Sequence, residues 1–326
     1  MTGIFTISLD FELHWGVFDK KDRQARKVCY QNTLSLITPM LEQFSQYGVH
    51  VTWATVGALY AADKQEWEQY KPTTLPAYNV PSYSAYEWVN SNGLDGDINW
   101  AHFAPREVAA ILQYPGQELG THTFGHYYCL EPQSRPAAFG ADLDAVISIS
   151  NKFNTRPVSL VFPRNQFNRD FLKVCLDKGI KAVRSNPDSW FWTPVANDES
   201  SLARKVFRTG DGYISMGKHT SYPLSKIVNT PGEPLQLPAS RLLRPWQPQY
   251  SFANTLKLRR ILNEMEVAAK RNECYHLWWH PENFGYYPKE NMQEFQIILE
   301  HYKVLSNKYG MRSWNMGEYV EGLGKS

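Results

Sequence analysis

The chain has 326 residues, with 34 basic against 32 acidic side chains and a formal net charge of +2 at pH 7. So even a balance argues against a polyanionic partner such as nucleic acid. Hydrophobic residues make up 43%, yet no apolar run reaches the ~18 residues of a membrane helix, so a soluble globular protein is expected. A chain of this size buries roughly 75% of its unfolded surface and needs no cross-links to build a core, which makes one large domain feasible.

The four cysteines, Cys29, Cys129, Cys175 and Cys274, lie far apart with no CxxC pair, and reduced, buried thiols are expected. The N-terminus enters GIFTISLD directly, without the features of a secretory leader, so the cytoplasm is the expected compartment. Residues 3–9 are apolar and β-branched and run into Asp10 and Glu12: a buried strand that delivers carboxylates at its end. Residues 32–47 carry Leu34, Ile37, Leu41 and Phe44 at helical spacing, then Gly48 and a strand-like VHVTWATVG. The alternation recurs with predicted helices at 105–114, 143–153 and 169–178, each followed by a predicted strand, GQELG, PVSLVFP and IKAVRS. A mostly parallel sheet follows from that rhythm.

Two tracts, 62–104 and 194–250, lack sustained periodicity and are rich in Trp, Tyr, Pro and Asn or in Pro, Ser and Arg. They are expected to be insertions over one face. Regular structure returns with predicted helices at 252–271 and 289–308 and strands at 274–279 and 311–314. About seven strands suggest one α/β domain over 1–326, a distorted (β/α)7-type barrel with its site at the carboxyl ends of the strands.

Two histidine pairs fall at spacing four, His122 with His126 in GTHTFGH and His276 with His280 in YHLWWH. A single helical turn would put the first pair on one face, within reach of one cation, the alternative being two structural histidines. The second pair lies on a predicted strand, where four residues span about 13 Å and no ion is shared. Asp10 and Glu12, two apart on a strand, point to the same side. With His122 and His126 they supply the two-histidine, one-carboxylate set of a hydrolytic metal site and one spare proton acceptor. No GxSxG, Gly-rich phosphate loop or HExxH is present, so nucleophilic serine chemistry has no comparable support.

The order SLDFE, GTHTFGH, FPRN, PDSW and HLWWH resembles the polysaccharide deacetylase family, the NodB-homology carbohydrate esterases. The resemblance implies a distorted barrel and one divalent cation, zinc before cobalt, nickel, iron or manganese. It implies Glu12, His122 and His126 as ligands and Asp10 as base, an assignment of the two carboxylates that can be swapped. Arg164 corresponds to an arginine beside the base. Asp188 and Trp190 match the fourth motif, and Trp278 stands where leucine is usual. His280 is then the acid that protonates the leaving nitrogen, with Asp188 orienting it. Tyr83, Tyr86, Trp88 and Trp100 in the first insertion are candidate sugar-stacking surfaces or lid core.

The implied reaction is removal of an acetyl or formyl group from an amino sugar. The expected substrate is a cytoplasmic glycan precursor, lipid-linked or nucleotide-linked, with peripheral membrane contact if it is lipid-linked. Two alternatives are a metal-free allantoinase-like ring-opening amidohydrolase and a catalytically silent glycan-binding protein.

Overall fold

The computed structural model describes residues 2–187, 189–196, 201–213 and 220–323. Its strands are β1 (Ile4–Phe11), β2 (Val51–Thr55), β3 (Gln117–Thr121), β4 (Ser159–Val161), β5 (Ala182–Ser185), β6 (Leu235–Pro238), β7 (Arg241–Leu242), β8 (Cys274–Trp279) and β9 (Arg312–Ser313). The helices are α1 (Lys27–Tyr47), α2 (Lys64–Tyr70), α3 (Ala85–Asn92), α4 (Pro105–Ile111), α5 (Pro136–Ser150), α6 (Arg169–Asp177), α7 (Leu202–Gly210), α8 (Ser251–Arg271), α9 (Pro288–Tyr309) and α10 (Met316–Leu323).

All strand pairs are parallel, in the order β6-β5-β4-β3-β2-β1-β8-β7, with β9 added to β1. The two ends of that list are one bent segment. Leu235–Pro238 pairs with β5, and two residues later Arg241–Leu242 pairs with β8. Between them Ala239 N donates to Ser185 O and Ser240 N to His276 O. The bend carries the chain from one sheet edge to the other and closes a seven-position barrel, which leaves no long edge unpaired among the described residues.

The residue pattern of β1 shows how the barrel is filled. Phe5, Ile7, Leu9 and Phe11 point out into the main core, where α1, α4, α8 and α9 cover the sheet. Ile4 points into the lumen and joins Ala54, Val161, Ala182, Leu237 and Cys274 in an apolar floor sealed by Met316 and Tyr319 of α10. Thr6, on the same face, bonds Tyr319 Oη at 2.7 Å. Above it come Ser8 and then Asp10, so one face of one strand runs from apolar to ionised toward its carboxyl end.

The two aperiodic tracts turn out differently. Residues 62–104 form a lid of short helices, α2 and α3 among them, anchored by Tyr86 Oη on Asp142 at 2.8 Å and by Trp15 Nε1 on the His102 carbonyl at 3.0 Å. The tract 194–250, expected to be an insertion throughout, also supplies the closing segment of the barrel. Its strands are short and interrupted by Pro238, which hid their period. No helix among the described residues is long and apolar enough to cross a membrane.

Candidate active site

Asp10 ends in the upper lumen with 3% of its surface exposed. Its carboxylate accepts two hydrogen bonds from one guanidinium, Arg184 Nη1 to Oδ1 at 2.6 Å and Nη2 to Oδ2 at 2.7 Å. Burial alone would raise this carboxyl, but Arg184, with the imidazoles of His122 and His280, outweighs it and holds Asp10 below its ordinary value. Arg184 is itself buried on β5, and its guanidinium carbon lies 4.1 Å from the ring centre of Trp278. The aromatic face fixes the plane of the fork.

Glu12 lies one residue past β1, where the chain turns with Leu13 at φ 48°. The turn is held by Glu282, whose carboxylate accepts from Leu13 N and, at 2.9 Å, from Glu12 N. Burial and the Glu12 charge push the Glu282 carboxyl up to about 7. Space for the Glu12 side chain comes from Gly16, where a Cβ would stand 1.5 Å from Glu12 Oε2. Glu12 Oε1 lies 2.9 Å from His122 Nε2, 3.3 Å from His126 Nε2 and 3.6 Å from His280 Nε2. Burial opposes its charge, but His280 and His126, with contacts from His122 and His126, hold the Glu12 carboxyl well below its ordinary value. The structure thus places Glu12 against the imidazoles and Asp10 against the guanidinium.

His122 follows β3 and is tied to the sheet by its N–H on Thr55 O at 2.9 Å. The expected helical turn from His122 to His126 is absent. The segment is a loop with left-handed Thr123 (φ 64°) and His126 (φ 56°), a conformation a non-glycine residue holds only under outside constraint. Asp142 on α5 supplies that constraint by accepting from Phe124 N and, at 3.1 Å, from Gly125 N. Thr123 Oγ1 adds a bond from Tyr127 N at 2.7 Å. Glycine is required at 125 because a Cβ there would lie 2.6 Å from Tyr86 Oη.

Asp142 is the hidden support of this loop, and burial pushes its carboxyl up to about 6. Asp142→Asn turns an amide donor toward a backbone N–H, and the expected cost is roughly 2 kcal/mol, typical of a buried donor left unpaired. A carboxyl whose folded pKa is raised loses its contribution as pH climbs from the ordinary 3.8 through about 6. The variant's stability is therefore flatter with pH across that window, checked by urea unfolding at intervals from pH 4 to 7.

Donor chemistry fits a cation. Glu12, His122 and His126 offer one oxygen and two nitrogens within 4.8 Å of one another, all buried, and Asp10, Glu12 and His280 form an overlapping set. Despite its closeness to Glu12, His122 Nε2 is outside hydrogen-bond geometry and has no other partner among the described residues. A buried nitrogen without a hydrogen bond beside a shared carboxylate is what a common ion would satisfy. On the far side of the His126 ring, Nδ1 meets Tyr128 Oη at 3.2 Å, the kind of outer contact that orients a ligand imidazole.

His280 sits at the end of β8 with its side chain 30% exposed, 3.8 Å from Asp10 Oδ2. It is the member of the cluster that faces solvent. Arg164 does not stand beside Asp10. It lies in the 3-10 turn Pro163–Asn165 with φ 55°, which swings its side chain to Asp19 and to Glu131 at 3.7 Å, stacked 3.6 Å above Tyr128. Arg184 takes the expected place. It lies near the carboxyl end of the predicted strand IKAVRS, which also carries Lys181, so composition alone did not single it out. Asp188 lies outside the described residues.

Of the expected aromatic surfaces, Trp278 forms a wall of the site, 5.8 Å from the His280 ring. Trp192, which the motif reading missed, packs on Trp278 at 6.4 Å, whereas Trp190 is 53% exposed and turns to Phe207. Trp88 and Trp100 are half-buried lid residues packed on the core. Trp88 borders a surface cleft of about 550 Å³ with His14, Arg23 and Asn92, which none of the five converging groups lines. Tyr86 is buried on Asp142, and Tyr83 lies against Tyr128.

No family model matches the chain, and no curated protein matches its sequence. Solved structures do. One described as a candidate polysaccharide deacetylase from Mycobacterium smegmatis is 12% identical, with a TM-score of 0.59 over 100% of this chain and 92% of that one. Puue Allantoinase is 9% identical, with a TM-score of 0.56 over 99% and 90%. The α-amylase AmyC from Thermotoga maritima is 11% identical, with a TM-score of 0.54 over 98% and 75%. At these identities the likeness is one of fold: the chain has the distorted barrel that its motifs implied, in a form divergent in sequence from each of these proteins.

Proposed function

We propose that the protein is a metal-dependent hydrolase that removes an N-acyl group, acetyl or formyl, from an amino sugar in a glycan or glycan precursor. The observation that carries this reading is the convergence of Glu12, His122 and His126 on one point, beside an Asp10–Arg184 pair and a solvent-facing His280.

Glu12, His122 and His126 would hold the cation, zinc by donor set, with cobalt, nickel, iron and manganese also compatible. A cation held there supplies Lewis acidity, polarising a carbonyl oxygen and easing deprotonation of water. Asp10 is kept ionised by Arg184, and each of its oxygens retains a lone pair, so it takes up the proton of the attacking water. His280 reaches the opening and delivers a proton to the departing nitrogen, which makes the amine a competent leaving group. Trp278, backed by Trp192, gives an apolar wall for the small acyl group. Trp190 offers an exposed ring at the rim, and Trp88 and Trp100 shape the lid. A lipid-linked or nucleotide-linked precursor inside the cell is the preferred substrate.

The fold likeness to an allantoinase supports a second reading, a metal-free ring-opening amidohydrolase. The complete ligand set favours the metal enzyme. Elemental analysis of protein purified without chelator, with amine release from N-acyl amino sugars, separates the two. Asp10→Asn is expected to lower kcat by about 10²–10⁴-fold, the span of a general base, with bound metal retained. A metal-free protein, or an Asp10→Asn variant with undiminished amine release, would sink the reading.

A further inference from the structure

Beneath Asp10 the barrel lumen holds a second polar layer that the reaction above leaves unused. It consists of Ser8 on β1 and His276 on β8, both 0% exposed, with Arg184 rising from β5 between them and Asp10. Arg184 Nη1 donates to Ser8 Oγ at 3.1 Å as well as to Asp10, and Nη2 donates to Asn165 Oδ1 at 3.1 Å as well as to Asp10. His276 Nε2 lies 2.9 Å from Ser8 Oγ, and the His276 backbone N–H is itself fixed on Ser240 Oγ at 2.9 Å.

The direction of the Arg184 bonds follows from the donors available, and that of the Ser8–His276 bond follows the His276 tautomer. A guanidinium only donates, so the Ser8 oxygen accepts from Arg184 and its hydroxyl hydrogen is free for His276 Nε2. Nε2 accepts only in a neutral ring with its proton on Nδ1. Burial and the neighbouring Arg184 charge keep the ring neutral, pulling it down to about 3, while Nδ1 makes no hydrogen bond among the described residues. The fork of Arg184 is thereby fixed in three ways. Trp278 confines its plane, Asn165 holds one corner, and the Ser8–His276 pair holds the other.

We propose that His276 and Ser8 are positioning residues for the candidate base: His276 anchors Ser8, Ser8 holds Nη1 of Arg184, and Arg184 presents both its outer nitrogens to the Asp10 carboxylate. The proposal rests on the hydrolase reading and deepens it. It also accounts for the second histidine pair, in which His276 and His280 share the inward face of β8 at two depths. The upper one faces the substrate and the lower one sets the geometry under the base.

The test is a double-mutant cycle of Ser8→Ala and His276→Phe, read in kcat, in KM and, without substrate, in denaturant unfolding. Each single variant is expected to lower kcat about tenfold with KM within about twofold, and the double variant to be no slower than the slower single. Metal content stays at the wild-type level. His276→Gln, whose amide offers Ser8 both an acceptor and a donor, restores kcat to within about threefold of wild type. It also guards against misfolding of the phenylalanine variant. Additive losses, changes confined to KM, or a glutamine variant as slow as phenylalanine would overturn the proposal. So would the absence of coupling between positions 8 and 276 in unfolding. Failure of the hydrolase reading looks different: wild-type protein releases no amine from any N-acyl amino sugar.

Discussion

Arg184→Met is expected to destabilise the protein by about 3–5 kcal/mol at neutral pH, the range for breaking a buried ion pair by removing one partner. Both partners are enclosed, with side-chain exposures of 0% and 4%, so water cannot replace the lost guanidinium. The effect has a pH signature. In the native protein the folded Asp10 carboxyl is held below 3.8, so its ionised form contributes stability that is complete above about pH 4 and fades as pH falls through the lowered value. In the variant burial dominates and raises the carboxyl, and folding then loses stability as pH rises above about 4. The gap between the two proteins is widest near neutrality and closes in acid. Urea unfolding from pH 3 to 7 checks this, and a gap that stays constant with pH would show that Arg184 contributes packing rather than charge.

Arg184 also shows where sequence reading reaches its limit. Asp10 and Glu12 were legible because a β-branched run ends in carboxylates, and His122 and His126 because both imidazoles sit in one short motif. Each signal is local. The Asp10–Arg184 pair joins residues 174 apart, and the arginine nearest the expected motif, Arg164, is turned away by a left-handed backbone. Local composition cannot distinguish the two, because the choice is made by which strand faces the lumen.

The closing strand was hidden for a related reason. Leu235–Pro238 and Arg241–Leu242 are too short, and too broken by proline, to display a period. Only barrel closure makes them strands. In the same way Trp192 rather than Trp190 meets Trp278, a difference of two positions in a 3-10 turn whose direction α7 and β8 decide.

Loss of the ligand set is the other large expected effect. His126→Ala should reduce bound metal to a small fraction of the wild-type content and lower kcat/KM by about 10³-fold or more, roughly 4 kcal/mol of transition-state stabilisation. Glu12 is nearly enclosed and touches three imidazoles, and burial pushes the His126 imidazole down despite its carboxylate neighbour. A neutral imidazole keeps its lone pair, which is the form a cation requires. Removing His126 leaves one nitrogen and one oxygen in the buried set, and affinity falls with the lost donor.

Because a cation bound only by the folded state stabilises it in proportion to the logarithm of its concentration, chelator should lower the melting temperature of the wild type but not of His126→Ala. Tyr128→Phe is the graded control. It keeps all three ligands and removes only the hydroxyl 3.2 Å from His126 Nδ1, and the expected loss is about 10-fold in metal affinity, the lower end for an outer-sphere contact. Melting curves with and without chelator, together with metal analysis of the same samples, decide the matter. A His126→Ala protein that retains its metal and its chelator response would remove His126 from the ligand set.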